Sequence, residues 1–306
     1  MSTSQPSHGA KTILDKLVVN VIDWGELKVH RNTGGVSFDA STGPLGAVRP
    51  DGSMVFDNAI GRAFEAAAER PDSLSSDEVT ELRHAIRVVT FTALDKRIEA
   101  RETEGGGPIK MALDVGGEAD RFLNDGLRHA DWAVNGDRIC YRLSPELGSR
   151  LRDAQEGEAE HPVARDAALA LAVQYGRALG EWPDNAVRDL LKAPREEIFE
   201  RVVDAKLASH LRERFEPTRE ALSDLRARLT DDVRTEFQRL AQEPHLKTSD
   251  VQGRVAAVCD RVDDSARTVK ETLNAVPLQQ PDRSSAASTT DRAQPATKHR
   301  WAGFGR

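Results

Sequence analysis

Apolar residues recur along this chain in three rhythms, and each predicts a different kind of element. Residues 13–22 form a dense apolar run that fits either a helix or a buried strand. Between residues 24 and 58 the text changes to short β-prone runs, ELKVH, GVSFD and SMVFD. They are separated by the turn-forming stretches NTGG, STGP and RPDG, which predicts a small sheet or set of hairpins. Helical spacing then takes over. Residues 58–69 predict a short helix stopped near Pro71. Ser75 or Ser76, with Asp77 and Glu78 behind it, caps a long helix reaching to about Glu99.

That long helix carries two stripes. Leu82, Ala85, Ile86, Val89 and Ala93 fall on one side, and His84, Val88, Phe91, Asp95 and Ile98 fall together on roughly the opposite side. A helix that is semi-apolar on both sides is expected to be covered on both. The glycine-rich stretch 103–110 breaks the chain; 118–132 reads as a second helix, and 131–143 as a connection turning at Asn135-Gly136. Helices follow at 161–179, closed by Gly180 and Trp182-Pro183, at 185–193, and at 196–215.

Past Glu216-Pro217 single apolar residues are spaced evenly among mixed charges. Leu222, Leu225, Leu229, Val233, Phe237 and Leu240 make one stripe, and Val251, Val255, Val258, Val262, Val269 and Leu273 make another, parted at Pro244-His245. This predicts an antiparallel hairpin whose stripes face each other or a second chain. From Pro277 onward periodicity vanishes, as in disordered segments. The expected architecture is mainly α with a small β region near the N-terminus (α+β) and a C-terminal helical hairpin. Its expected segments are an unordered 1–11, a globular domain at 12–215, a hairpin arm at 216–276 and a disordered tail at 277–306.

Composition narrows the function. The net charge of −7 gives no basic footprint for nucleic acid. No apolar stretch is long enough to span a bilayer, and the first residues lack a basic start followed by an apolar core, so a cytoplasmic protein is expected. Cys140 and Cys259 read as small buried hydrophobes. The chain contains no GxxxxGKS phosphate loop, GxGxxG, GxSxG or CxxC. The glycines at 105–107 follow a helix, not a strand, and read as a connector.

One resemblance remains. The turn-rich β region, the helix beginning LRHAIRVV, the glycine-rich break, the helix with FLNDGLRHA and the later LLKAPREEIFERV segment are together similar to the compact zincin metallopeptidase-like domains of actinobacteria, over residues 30 to about 205. In that family the first helix carries HExxH and the second supplies a glutamate before glycine as third zinc ligand. The resemblance places Phe91 where the first histidine stands, Thr92 at the catalytic glutamate, Asp95 at the second histidine and Asp125 at the third ligand. Phenylalanine cannot bind zinc and threonine cannot act as the general base, so the chemistry of the family is expected to be lost.

The candidate cleft is therefore His84, Phe91, Asp95, Asp125 and His129, with no catalytic residue, metal or cofactor expected. Their plainer reading is a core phenylalanine, solvated or capping acids and hydrogen-bonded histidines. A second candidate is the tail, where Arg300, Trp301 and Phe304 follow a cation cluster and suit docking on a protein or an acidic surface. The expected function is non-enzymatic: protein interaction or regulation, with a protein partner or self-association through residues 218–275. The alternatives are a hydrolase with an unrecognised site and a scaffold whose helical arm drives assembly.

Overall fold

The computed structural model describes residues 7–25, 36–39, 46–49, 53–95, 117–143, 145–154 and 161–275. The ELKVH run, the glycine-rich stretch 103–110, the expected extension of the long helix past residue 95 and the tail from Pro277 lie outside these residues.

The undecided apolar run is a helix, α1 (His8–Gly25). It starts inside the segment expected to be unordered, because Ala10, Leu14 and Leu17 are fully buried and anchor its first turns. Three short strands follow, β1 (Val36–Phe38), β2 (Ala47–Val48) and β3 (Met54–Phe56), in the order β1-β3-β2. β2 pairs antiparallel with β3, while β1 lies parallel to it with Phe38 opposite Phe56. Helix α2 (Asn58–Glu69) is capped by Asp57, which accepts from the Ala59 amide at 2.7 Å. Helix α3 (Ser76–Asp95) opens on a reciprocal capping box. The Ser75 amide donates to Glu78 at 2.8 Å and the Glu78 amide donates to the Ser75 hydroxyl at 3.3 Å. Every residue of α3 from Ala85 to Leu94 is buried, so the helix is covered on both sides as its two stripes predict.

Eight more helices complete the described chain: α4 (Glu118–Leu143), α5 (Pro145–Asp153), α6 (Pro162–Leu179), α7 (Pro183–Lys192), α8 (Ile198–Leu211), the single turn α9 (Phe215–Thr218), α10 (Ser223–Ala241) and α11 (Thr248–Ala275). Gly180 ends α6 in the left-handed conformation at φ 75°.

The expected turn at Asn135-Gly136 does not exist. α4 runs through it unbroken because both residues have tertiary roles. The Asn135 side chain donates to Asp131 Oδ1 and accepts from Arg188, each at 2.6 Å, and Gly136 leaves room for the Trp132 ring, which a Cβ would meet at 2.9 Å. Tyr141 is an exposed residue of the same helix.

Two apolar cores result. α1, the sheet, α2, α3 and α5 gather around Phe38, Phe56, Phe64 and Ile86; α6 through α11 gather around Leu171, Phe199, Phe237 and Val258. α4 belongs to both. Ala119, Leu123, Leu127 and Ala130 enter the second core, and Trp132, Ile139, Cys140 and Leu143 enter the first.

The hairpin is present but is not a separate arm. Leu229, Val233, Phe237 and Leu240 of α10 and Val251, Val255, Val258 and Val262 of α11 are buried in the same core as α4, α6 and α8. Ion pairs fasten it from outside. Asp204 of α8 takes Arg226 and Arg219; buried Lys206 donates to Asp263 at 2.7 Å; Arg234 reaches Asp120 at 3.5 Å. The stripes, expected to face each other or a second chain, pack in one core with each other and with the protein's own helices, so self-association through their buried residues would require opening that core.

The close approach of α4 to α6 supplies a test. A Cβ at Gly126 would stand 2.1 Å from the Ala164 carbonyl oxygen of α6, whereas one at Gly253 on α11 would meet nothing within 4 Å. Gly126→Ala is expected to cost about 3 kcal/mol, the upper end for overpacking, since backbone cannot yield as a flexible side chain does. Gly253→Ala should stabilise by roughly 0.5–1 kcal/mol. Urea denaturation of both variants distinguishes crossing geometry from a general effect of replacing glycine.

Candidate functional site

Where α3 crosses α4, the segment of α4 that passes from one core to the other faces Phe91. This ring is buried, 7% exposed, and lies edge-on to two others: His129, with centroids 4.8 Å apart, and Trp132, at 6.5 Å. Two guanidiniums cover it, Arg87 one turn earlier on α3 at 5.9 Å and Arg128 on α4 at 5.7 Å. Arg128 is paired one turn back with Asp125, whose other oxygen is 3.7 Å from Nε2 of His161, the residue that caps the start of α6. The His161 ring in turn meets His129 edge-on at 5.9 Å.

Helical spacing explains why these groups share a space. Asp125, Arg128, His129 and Trp132 recur at three- and four-residue intervals on α4, and Arg87 and Phe91 are one turn apart on α3. The helices pass in opposite senses. Arg83, two turns before Phe91, stacks on Trp132 at 5.6 Å and donates to Asp137 at 2.9 Å, at the far end of the contact from Asp125.

Of the residues proposed from sequence, Phe91, Asp125 and His129 converge. His84, half-buried, sits beside Arg83, about 10 Å along the α3 axis from Phe91. Asp95 ends α3, and its side chain, like Arg300, Trp301 and Phe304, lies outside the described residues. The sequence reading missed Arg87, Arg128 and His161. The two arginines carried a signal, lying four and three residues from Phe91 and Asp125; His161 reaches the site only through the α4–α6 crossing.

The electrostatics favour a neutral imidazole. Burial pushes the His129 pKa down to about 4. The Asp125 carboxylate opposes this, and Arg87, Arg128 and His161 reinforce it. Thr92, next to Phe91, is buried with its hydroxyl donating to the Val88 carbonyl at 2.8 Å, so its oxygen is not poised toward a substrate. Among the described residues no three His, Cys, Asp or Glu side chains are grouped so as to hold a metal ion. The arrangement clamps an aromatic ring between two helices and balances a carboxylate against nearby cations.

A second polar cluster lies one turn further along α4. Asp131 is buried with Asn135, and Arg188 of α7 reaches both; burial raises the Asp131 pKa and lowers that of Arg188. A third joins α6, α7 and α8. The Tyr175 hydroxyl donates to Asp189 at 2.5 Å and accepts from Arg201 at 3.0 Å; burial and the Asp189 bond push the Tyr175 pKa up to about 12. Both tie helices together by hydrogen-bonded charge. No helix among the described residues is long and apolar enough to cross a membrane.

Two measurements address the site. Phe91→Ala should cost about 3–5 kcal/mol in chemical denaturation, the loss expected for a core phenylalanine. His129 is neutral when buried and has a folded pKa of about 4 against an ordinary 6.5. Its contribution is therefore full above pH 6.5 and is lost as pH falls through 4, by on the order of 3 kcal/mol. His129→Phe should flatten that part of the stability profile, and an unchanged slope between pH 6.5 and 4 would refute the assignment.

Comparison with protein-family models, with curated proteins and with solved structures gives no match for this chain.

Proposed function

We propose that the chain is a non-enzymatic protein-interaction or regulatory protein, built on a zincin-like helical domain whose catalytic centre has been replaced by packing. The observation that carries this reading is Phe91. At the position where the family resemblance puts the first zinc-binding histidine, the chain has a ring buried between α3 and α4, flanked by His129, Trp132, Arg87 and Arg128.

The neighbouring positions support it. Thr92, in place of the catalytic glutamate, has no titratable group with which to take a proton from water, and its hydroxyl is spent on its own helix. Asp125, in place of the third ligand, shares its carboxylate between Arg128 and His161. Phe91 and Asp125 each fix a helix contact. Partner binding then belongs to exposed surface and not to the buried stripes of α10 and α11. Those helices present exposed charges such as Asp231, Asp232, Arg261 and Arg267.

The purified protein is expected to hold no stoichiometric zinc by elemental analysis and to cleave no peptide library. About one zinc per chain, or turnover, would overturn the non-enzymatic reading. Restoring the family's residues by Phe91→His, Thr92→Glu, Asp95→His and Asp125→Glu together is expected to create a site taking about one zinc per chain. A quadruple variant that keeps its helical circular dichroism yet binds no zinc would argue against the zincin-like resemblance while leaving the absence of activity intact.

A further inference from the structure

The most exposed large apolar side chain described is Trp182, 77% exposed, with Leu179 close by at 44%. They stand on the turn between α6 and α7, and that turn is held from both sides. Gly180 closes α6 in the left-handed conformation, the Glu181 amide donates to the Gly176 carbonyl at 2.8 Å, and the Trp182 carbonyl accepts from the Ala186 amide at 3.0 Å. The indole is therefore presented on a fixed backbone. A rigid, solvent-facing tryptophan beside a leucine is the type of anchor on which binding energy concentrates. Glu181, exposed, and Asp184, half-buried, stand beside it, with Arg177 in the last turn of α6 and Arg188 near Asp184.

The direction of two helices says which segment can reach it. α6 and α11 run the same way. Near their starts Thr248 donates to Asp166 at 2.6 Å, and further along Lys206 bridges Gln174, at 3.5 Å, and Asp263, at 2.7 Å. From Asp263 α11 continues for about 18 Å to its last residue, Ala275. Arg214 holds that end through the Leu273 carbonyl at 3.3 Å and Asn274 at 2.7 Å. The chain thus leaves the bundle at the end where α6 terminates and the 179–182 turn stands.

We propose that the segment 298–306 of this chain, containing Lys298, Arg300, Trp301 and Phe304, docks on the 179–182 turn of its own body, with Trp301 and Phe304 against Trp182 and Leu179 and the basic residues toward Glu181 and Asp184. Twenty-five residues separate Ala275 from Trp301. Chain of that length is enough to reach roughly 25–30 Å and would hold the segment at an effective concentration on the order of millimolar. Charge points the same way: residues 277–306 carry five Lys and Arg against two Asp, a net +3 in a chain whose total is −7. Stacking of aromatic rings and cation–π contacts provide the attraction, and screening by salt should weaken it.

The test uses the full chain labelled with 5-fluorotryptophan, the Trp182 signal being assigned by its loss in Trp182→Phe. The expected result is that the Trp182 fluorine resonance shifts in the Trp301→Ala/Phe304→Ala double variant and shifts back toward its native position when the salt-sensitive contact is supplied in trans, by titrating a synthetic 297–306 peptide into the variant. Circular dichroism should be unchanged in the double variant. A Trp182 resonance identical in the native chain and the double variant would overturn the proposal. So would a shift that disappears on dilution along with a doubled mass in light scattering, since the segment would then come from a second copy.

Discussion

Where α4 passes α6, Gly126 lies so close to the Ala164 backbone that a single methyl group would be 2.1 Å from its carbonyl oxygen. Ala168 closes on the same glycine from the next turn, at 3.0 Å. Small residues on both helices let the axes approach, and that approach determines much else. It brings the start of α6, with His161, beside Asp125. It also aims the other face of α4 at α3, and it fixes the level at which α4 leaves one apolar core and enters the next. A wider crossing would carry His161 and Asp125 apart and loosen both cores through the one helix they share.

Buried charge follows from the same economy of aromatic residues. With rings making up 5% of the sequence, the helices meet largely through alanine, leucine and valine, and their contacts are finished by arginine. Arg226 grips Asp204 and Glu200, Arg254 grips Glu236 and Glu243, and Arg234 lies over the Phe199 ring while pairing with Asp120. A guanidinium can satisfy two carboxylates while its flat face covers a ring, which lysine cannot do. These pairs contribute less to stability than the apolar burial beneath them, but breaking one side of a partly buried pair strands the other. They specify which helix faces which.

Much of this was legible in the sequence, and the failures share a cause. The capping box at Ser75, the two-sided burial of α3 and the glycine end of α6 are local signals, each decided within one or two turns. Helical spacing placed Asp125 and His129 on one face of α4 and Phe91 on one face of α3, but that these faces meet is seen only in the structure. What spacing cannot show is the surface a face meets. The α10 and α11 stripes gave their periodicity and their hairpin correctly but not the body of the protein as the further surface they meet. His161 was missed because only the tight passage at Gly126 brings it to Asp125. Asn135-Gly136 was misread for the same reason, since the residue that stabilises its helical form, Arg188, is 53 positions away.

That dipeptide carries a chemical consequence as well. Asparagine before glycine ordinarily ages quickly, because the following backbone nitrogen attacks the side-chain amide and closes a succinimide ring. Here the Asn135 side chain is fixed at both ends, by Asp131 and Arg188, and the residue is 1% exposed within a continuous helix. Ring closure requires the helix to open and the amide to swing out of its hydrogen bonds. Any conversion of Asn135 to aspartate or isoaspartate would therefore have to wait for those openings, and the mass of an aged sample would count how often α4 comes apart at its middle.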